Sequence, residues 1–267
     1  MINQLLIIGC GNMGGAMLAG WLAAGEDPAR FAILDPALPE APAGVKLYRE
    51  ASEAEAAGAH DAVMLGFKPQ QLRKLAPGLQ GLTGAGVTVC SLLAGITRAQ
   101  LAAAFPAAKG HVRVMPNLAA RINKSPVILC EAGLDGAGRE DCFVLYDVLG
   151  TAIWLDDEAR FDLVTALAGS GPGFVYRFIG ALAGAAEELG LEREAAVQLA
   201  IATVDGASSL AAASDIGPDD LADRVASPGG MTREGLNVLD EGAALHRLLV
   251  ETLRATRDKG ADLAKGA

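Results

Sequence analysis

The chain has 267 residues, 51% hydrophobic, 20% charged and only 4% aromatic, enough apolar material for one or two domains with cores of their own. A formal charge of -10, with both signs interspersed and no basic cluster, argues against nucleic acid or an anionic membrane as partner and leaves a small metabolite. The four cysteines, Cys10, Cys90, Cys130 and Cys142, fall in apolar stretches without CxxC spacing, so buried thiols in a reducing compartment are expected, with no disulfide and no metal.

In chain order, LLIIG predicts a first strand, followed by a helix through Met17 and Trp21. Next come the strand FAILD, a helix near Ser52 to Ala57, and the strand DAVMLGF. VTVCSL, a helix from Thr97 to Phe105, HVRVMPN, PVILC, a helix from Gly138 to Leu149 and TAIWL complete the first half. Apolar strands alternating with helices describe a doubly wound, mostly parallel sheet. From Asp156 onward only helical periodicity is found, so the expected division is an α/β domain over 1–155 and an all-helical domain over 156–267. The helix from Phe174 to Leu189 is apolar almost all round, more than one small domain needs to bury, which points to a second subunit. The opening MINQLLIIGCG shows no basic leader and no small-residue cleavage site, and its apolar run is too short to span a bilayer, so a cytoplasmic protein is expected.

The chemistry begins at GCGNMG. This GxGxxG stretch lies directly after a strand and before a helix, where glycines permit a tight turn and the helix N-terminus offers free N–H groups to a diphosphate. FAILD ends at Asp35, about twenty residues past the glycines, where a carboxylate takes both hydroxyls of an adenosine ribose and repels a 2'-phosphate. PALPEAP, which follows, offers no arginine for such a phosphate, so NADH is favoured over NADPH. Ligands of doubly wound sheets sit at the carboxyl ends of the strands, which places Phe67, Lys68, Pro69, Ala94, Gly95 and Asn117 beside the cofactor. In the helical half, GSGP at 169–172 opens an apolar helix, and SPGGMT at 227–232 exposes several amides flanked by two hydroxyls ahead of another helix, a seat for a carboxylate.

Together GCGNMG, GFKPQ, SLLAGIT, RVMPN, TALAGSGPGFVYRF, AEELGL and ASPGGMTREGLNVL resemble the pyrroline-5-carboxylate reductases nearly from end to end. That resemblance implies a Rossmann domain, an all-helical dimerisation domain interlocked with its mate in a homodimer or larger homo-oligomer, and an active site shared between subunits. It implies diphosphate contacts from Gly9, Gly11, Asn12, Met13 and Gly14, and a nicotinamide wall from Phe67, Lys68, Pro69, Ala94 and Gly95. Substrate contacts are implied for Glu158, Ser227, Gly229, Gly230, Met231 and Thr232, with the Thr232 hydroxyl on the ring nitrogen as the one catalytic contact.

The chain departs from relatives after MPN, where Leu118, Ala119, Ala120 and Arg121 stand in place of Thr-Pro-Ala and its sequel. Asp35 and Glu53 add negative charge near the adenosine end, in keeping with NADH. The implied reaction is hydride transfer from NADH or NADPH to the C=N carbon of 1-pyrroline-5-carboxylate. A protonated cyclic imine gives a neutral amine and needs no dedicated acid, whereas ketone reduction does. The 3-hydroxyacid dehydrogenases, with a similar glycine turn, use a lysine in their second domain, and this chain has none between Lys124 and Lys259. His246, the only histidine of the helical half, reads as structural. A reductase of a related cyclic imino acid and a non-catalytic dinucleotide sensor are the competing readings.

Overall fold

The structure, a computed structural model, describes residues 1–265. The chain divides into two compact units, Met1–Ser170 together with the chain from Thr256 on, and Gly171–Ala255.

The first unit is built on an eight-stranded sheet in the order β3-β2-β1-β4-β5-β6-β7-β8. Its elements are β1 (Leu5–Ile8), α1 (Asn12–Ala23), β2 (Phe31–Leu34), β3 (Lys46–Tyr48), α2 (Ala51–Ala56), β4 (Ala62–Leu65), α3 (Leu72–Leu75) and β5 (Thr88–Ser91). There follow α4 (Arg98–Ala104), β6 (Gly110–Met115), β7 (Ser125–Ala132), α5 (Gly136–Asp147), β8 (Gly150–Trp154) and α6 (Phe161–Val164).

Both faces of the sheet are covered, which is why its strands are continuous apolar runs. Along β1, Leu5 and Ile7 join one core with Met17, Trp21, Phe31 and Tyr146, while Leu6 and Ile8 join the other with Leu34, Leu65, Leu79 and Phe105. Trp21 stacks on Phe31 at 5.2 Å and its indole N–H donates to the Leu145 carbonyl at 2.7 Å, tying α1 to α5.

Strand pairings from β3 to β6 are parallel, but β7 runs antiparallel to β6, and β8 then runs parallel to β7. The reversal has a simple cause. A parallel return needs a crossover of about a dozen residues or more, and the stretch 116–124 holds only a short 3-10 turn, Leu118–Ile122, which packs on α1. The edge strand β3 was not expected from the sequence, being three residues long and pairing on one side only.

By compactness the first unit extends to Ser170, past residue 155, just after the last strand ends. The segment after β8 stays with the sheet because Phe161 is buried against Ile128 and Cys130, and Glu158 pairs with Arg98 and Arg113.

The second unit contains α7 (Gly171–Glu188), α8 (Arg193–Ala212), α9 (Pro218–Val225), α10 (Met231–Asp240) and the start of α11 (Ala244–Lys265). Its buried cluster consists of Ala183, Ala196 and Ala200, where small side chains let α7 and α8 approach closely. Large apolar side chains remain outside, among them Tyr176, Leu199, Leu210 and Val238, each more than half exposed. A face of that kind marks an interface. By length and composition α8 is apolar enough to cross a membrane. Its apolar surface is equally that of an association helix. All four cysteines are buried, and His246 is exposed on α11.

Candidate active site

A cleft opens at the carboxyl ends of β1, β2 and β4. It encloses about 560 Å³ and is lined by Gly9, Gly11, Asp35, Phe67 and Lys68, together with Gln71 and Leu79. Gly9 has φ +84°, and a Cβ there would lie 2.9 Å from the Phe67 amide nitrogen, so no side chain fits between the two strand exits. Gly11 caps α1 without a side-chain hydrogen bond, and the first turn contains no acidic residue. The first-turn amides, from Asn12, Met13 and Gly14, are left for an outside acceptor with the helix dipole behind them. This is the chemistry a dinucleotide diphosphate requires, and a Cβ at Gly11 would meet nothing within 4 Å, so backbone approach there is open.

Asp35 lines the cleft and also holds the turn together. Its Oδ2 accepts from the Cys10 amide at 2.9 Å, and its Oδ1 accepts from Ala37 and Leu38 at 2.9 and 3.2 Å. Burial, assisted by the Asp35 charge, pushes the Cys10 thiol up to about 11. Glu53 faces its own backbone, capping α2 by accepting from the Arg49 and Glu50 amides at 2.7 and 3.3 Å. Arg49, which sequence reasoning passed over, donates to the carbonyls of Asp35, Leu38 and Pro39. An arginine does therefore reach the turn after Asp35, already engaged with backbone. Lys68 is exposed, its amide donating to Gln71 Oε1 at 3.1 Å, and Pro69 opens the short turn that follows.

Ala94, Gly95 and Asn117 lie outside this cleft's lining, at the ends of β5 and β6. Ala94 is exposed. Asn117 is buried, and its side chain is committed: Oδ1 accepts from the Ala119 amide and Nδ2 donates to the Ala168 carbonyl, both at 2.9 Å. The latter bond fixes the π turn Thr165–Gly169, a rare conformation that concentrates at functional sites and here ends on the first glycine of GSGP. Glu158 shares a second cavity of about 310 Å³ with Gly95, Thr97 and Arg113. Its Oε1 accepts from the Arg98 amide at 2.8 Å and from Arg113 Nη1 at 2.9 Å, and its Oε2 from Arg98 Nε at 3.0 Å. Burial works against its charge, yet these donors hold the Glu158 carboxyl below the usual range. A substrate contact through Glu158 thus meets a carboxylate whose oxygens are already bonded. The missed partner, Arg113, lies in the strand GHVRVM, and nothing local in that strand ties it to Glu158.

In the helical unit, Ser227, Gly229 and Gly230 form a bend closed by the Gly230 amide donating to the Ser227 carbonyl at 2.9 Å, with Gly229 at φ +73°. Gly230 caps α10 without a side-chain hydrogen bond, so the amides of Met231, Thr232 and Arg233 start the helix unpaired by any cap. Ser227, Met231 and Thr232 are exposed there. A helix start of this kind has donors to offer an anion.

A pyrroline-5-carboxylate reductase from Pseudomonas aeruginosa is 32% identical over 269 residues, covering 98% of this chain and 97% of the relative. The chain belongs to the pyrroline-5-carboxylate reductase family. Family models match in both units: pyrroline-5-carboxylate reductase dimerisation over 158–263, and NADP oxidoreductase coenzyme F420-dependent over 4–95. A solved pyrroline-5-carboxylate reductase from Coxiella burnetii superposes with a TM-score of 0.91 at 28% identity, covering 98% of this chain and 99% of the other. A Plasmodium falciparum pyrroline carboxylate reductase with NADP bound has the same fold, with a TM-score of 0.80 at 23% identity and 98% coverage of both chains. As a member of the pyrroline-5-carboxylate reductase family, the protein is a nicotinamide-dependent oxidoreductase acting on a C=N bond, and its helical unit is a dimerisation domain.

Proposed function

We propose that this chain reduces 1-pyrroline-5-carboxylate to proline, that NADH serves it better than NADPH, and that it works in the cytoplasm as a homodimer or larger homo-oligomer. The observation that carries the substrate reading is the uncapped start of α10 after Ser227–Gly230, because the glycine turn before α1 would serve any dinucleotide. A cofactor-only sensor has no use for a second anion seat.

In this reading Gly9, Gly11, Asn12, Met13 and Gly14 hold the diphosphate, and Asp35 meets the adenosine ribose. Phe67, Lys68, Pro69, Ala94 and Gly95 wall the nicotinamide, with Asn117 bracing that wall through its bond to Ala168. The reduced nicotinamide, when bound, supplies the hydride. Ser227, Gly229, Gly230 and Met231 form the seat of the substrate carboxylate, the Ser227 hydroxyl and the amides of Gly229 and Met231 donating to it while the Gly230 amide closes the bend on the Ser227 carbonyl. Thr232 holds the ring nitrogen, so the imine carbon is presented in one orientation, which is the main thing such a site contributes to rate. The imine arrives protonated and leaves as a neutral amine, so no side chain has to deliver a proton. The negative charge of Asp35 and the engagement of Arg49 with three carbonyls both support NADH over a cofactor with an added phosphate.

The test is a purified-protein assay following NADH and NADPH oxidation with pyrroline-5-carboxylate, beside the six-membered homologue. Turnover of the five-membered imine with NADH as the better donor is expected. Turnover of neither imine with either cofactor would reduce the protein to a dinucleotide binder.

A further inference from the structure

The Arg98–Glu158–Arg113 cluster contains more machinery than a substrate contact needs. Arg113 is 5% exposed and stacks on the Phe161 ring at 3.8 Å, so its guanidinium is a buried charge with Glu158 as its ion-pair partner. Arg98 takes the same carboxylate from the other side and also reaches the Glu131 carbonyl on β7. Asp162 lines the same cavity without a part in these ion pairs. Three separate stretches are thereby pinned at one carboxylate: the start of α4, the middle of β6 and the segment leading into α6. Arg113 is the buried member and Arg98 and Glu158 are half-buried, so removing the carboxylate strands the Arg113 charge and ties the three groups together.

The turn Leu92–Thr97 runs directly into Arg98, whose backbone amide and side chain both donate to Glu158. We infer that Glu158 is a positioning residue: with Arg98 and Arg113 it fixes the Ala94–Gly95 turn against β6, and it touches neither substrate nor cofactor. The inference rests on the reading above in that this turn is taken as a wall of the nicotinamide site. It assigns Glu158 a different job from the substrate contact that family resemblance implies.

Glu158→Ala and Glu158→Gln separate the roles in the full-length protein. For Glu158→Ala, kcat falls at least tenfold while the KM for pyrroline-5-carboxylate and the Kd values of proline and NADH stay within twofold. Glu158→Gln, which keeps the shape and an acceptor for the Arg98 amide, recovers a third or more of the loss. Arg98→Met added to Glu158→Ala lowers kcat no further. Independently of activity, hydrogen exchange in the peptide covering 92–97 speeds at least tenfold in Glu158→Ala. A tenfold weaker proline Kd, additive losses in the double variant, or unchanged exchange at 92–97 each overturns the inference. Should the wild type fail to turn over the imine, the reading under Proposed function falls, while the exchange measurement still decides this one.

Discussion

Gly20 gives the clearest contest between local propensity and tertiary packing. On propensity alone, Gly20→Ala in the interior of α1 stabilises by about 1 kcal/mol. In the fold, a Cβ at Gly20 would stand 2.0 Å from the Ala120 carbonyl oxygen and 2.9 Å from a Leu149 methyl. The leucine can rotate away, but the carbonyl is backbone. Restoring ordinary contact at 3.4 Å means driving the turn Leu118–Ile122 off α1 by about 1.4 Å. Overpacking of this severity costs toward the upper end of about 1–3 kcal/mol. The hydrogen bond from Asn123 Nδ2 to the Gly20 carbonyl at 3.0 Å is lost with the shift, for about 1 kcal/mol more. Against the helix-propensity gain, the net is a destabilisation of about 3 kcal/mol, or roughly 6–12 °C in the melting temperature of a unit this size. Gly15 is the control, in the same helix with nothing nearer than the Cys10 carbonyl at 3.9 Å. Gly15→Ala should raise apo-protein stability by about 0.5–1 kcal/mol. Calorimetry on the two variants reads out opposite signs, and a Gly20→Ala protein as stable as Gly15→Ala would refute the packing argument.

Thr232→Ala should lower turnover at least tenfold with NADH affinity near normal in a fluorescence titration; full turnover removes Thr232 from the mechanism. Asp35→Ser should shrink the ratio of kcat/KM for NADH over NADPH. It should also cost stability by freeing the Cys10, Ala37 and Leu38 amides, and a wild type that strongly favours NADPH contradicts the charge argument. With its thiol near 11, Cys10 should react with iodoacetamide at pH 8 about a hundredfold more slowly than a free cysteine, since only the thiolate attacks. Mass mapping of the label tests this. Glu158 is held below the usual carboxylate range in the fold, so its contribution to stability is complete above that range and is lost as pH falls through the depressed value. Glu158→Gln should flatten the acid limb of the stability curve, and an unchanged limb counts against the ion pairs.

The α/β half was largely legible because strands buried on both faces leave unbroken apolar runs, as in LLII and AVML, and glycine turns punctuate them. Its two surprises have physical reasons. Strand β3 is too short for any period to register, and the reversal at β7 is written in loop length rather than composition. The glycine turn and the SPGG bend were readable because backbone amides at a helix start need no distant partner to define them. Glu158, Asn117 and Arg49 were less readable. Each takes its hydrogen-bond partners at least partly from elsewhere in the chain, Arg98 and Arg113 for Glu158 and the Ala168 carbonyl for Asn117, and such pairing leaves no local pattern.

The alanine-only cluster of Ala183, Ala196 and Ala200 has a consequence for handling the protein. So little apolar burial cannot offset the chain entropy of ordering some eighty residues at roughly 1–2 kcal/mol each. Order in that half therefore comes from a second copy, and mass action enters its stability: the unfolding temperature climbs with protein concentration. Dilution alone should bring protease sensitivity to α7 and α8 before it reaches the sheet.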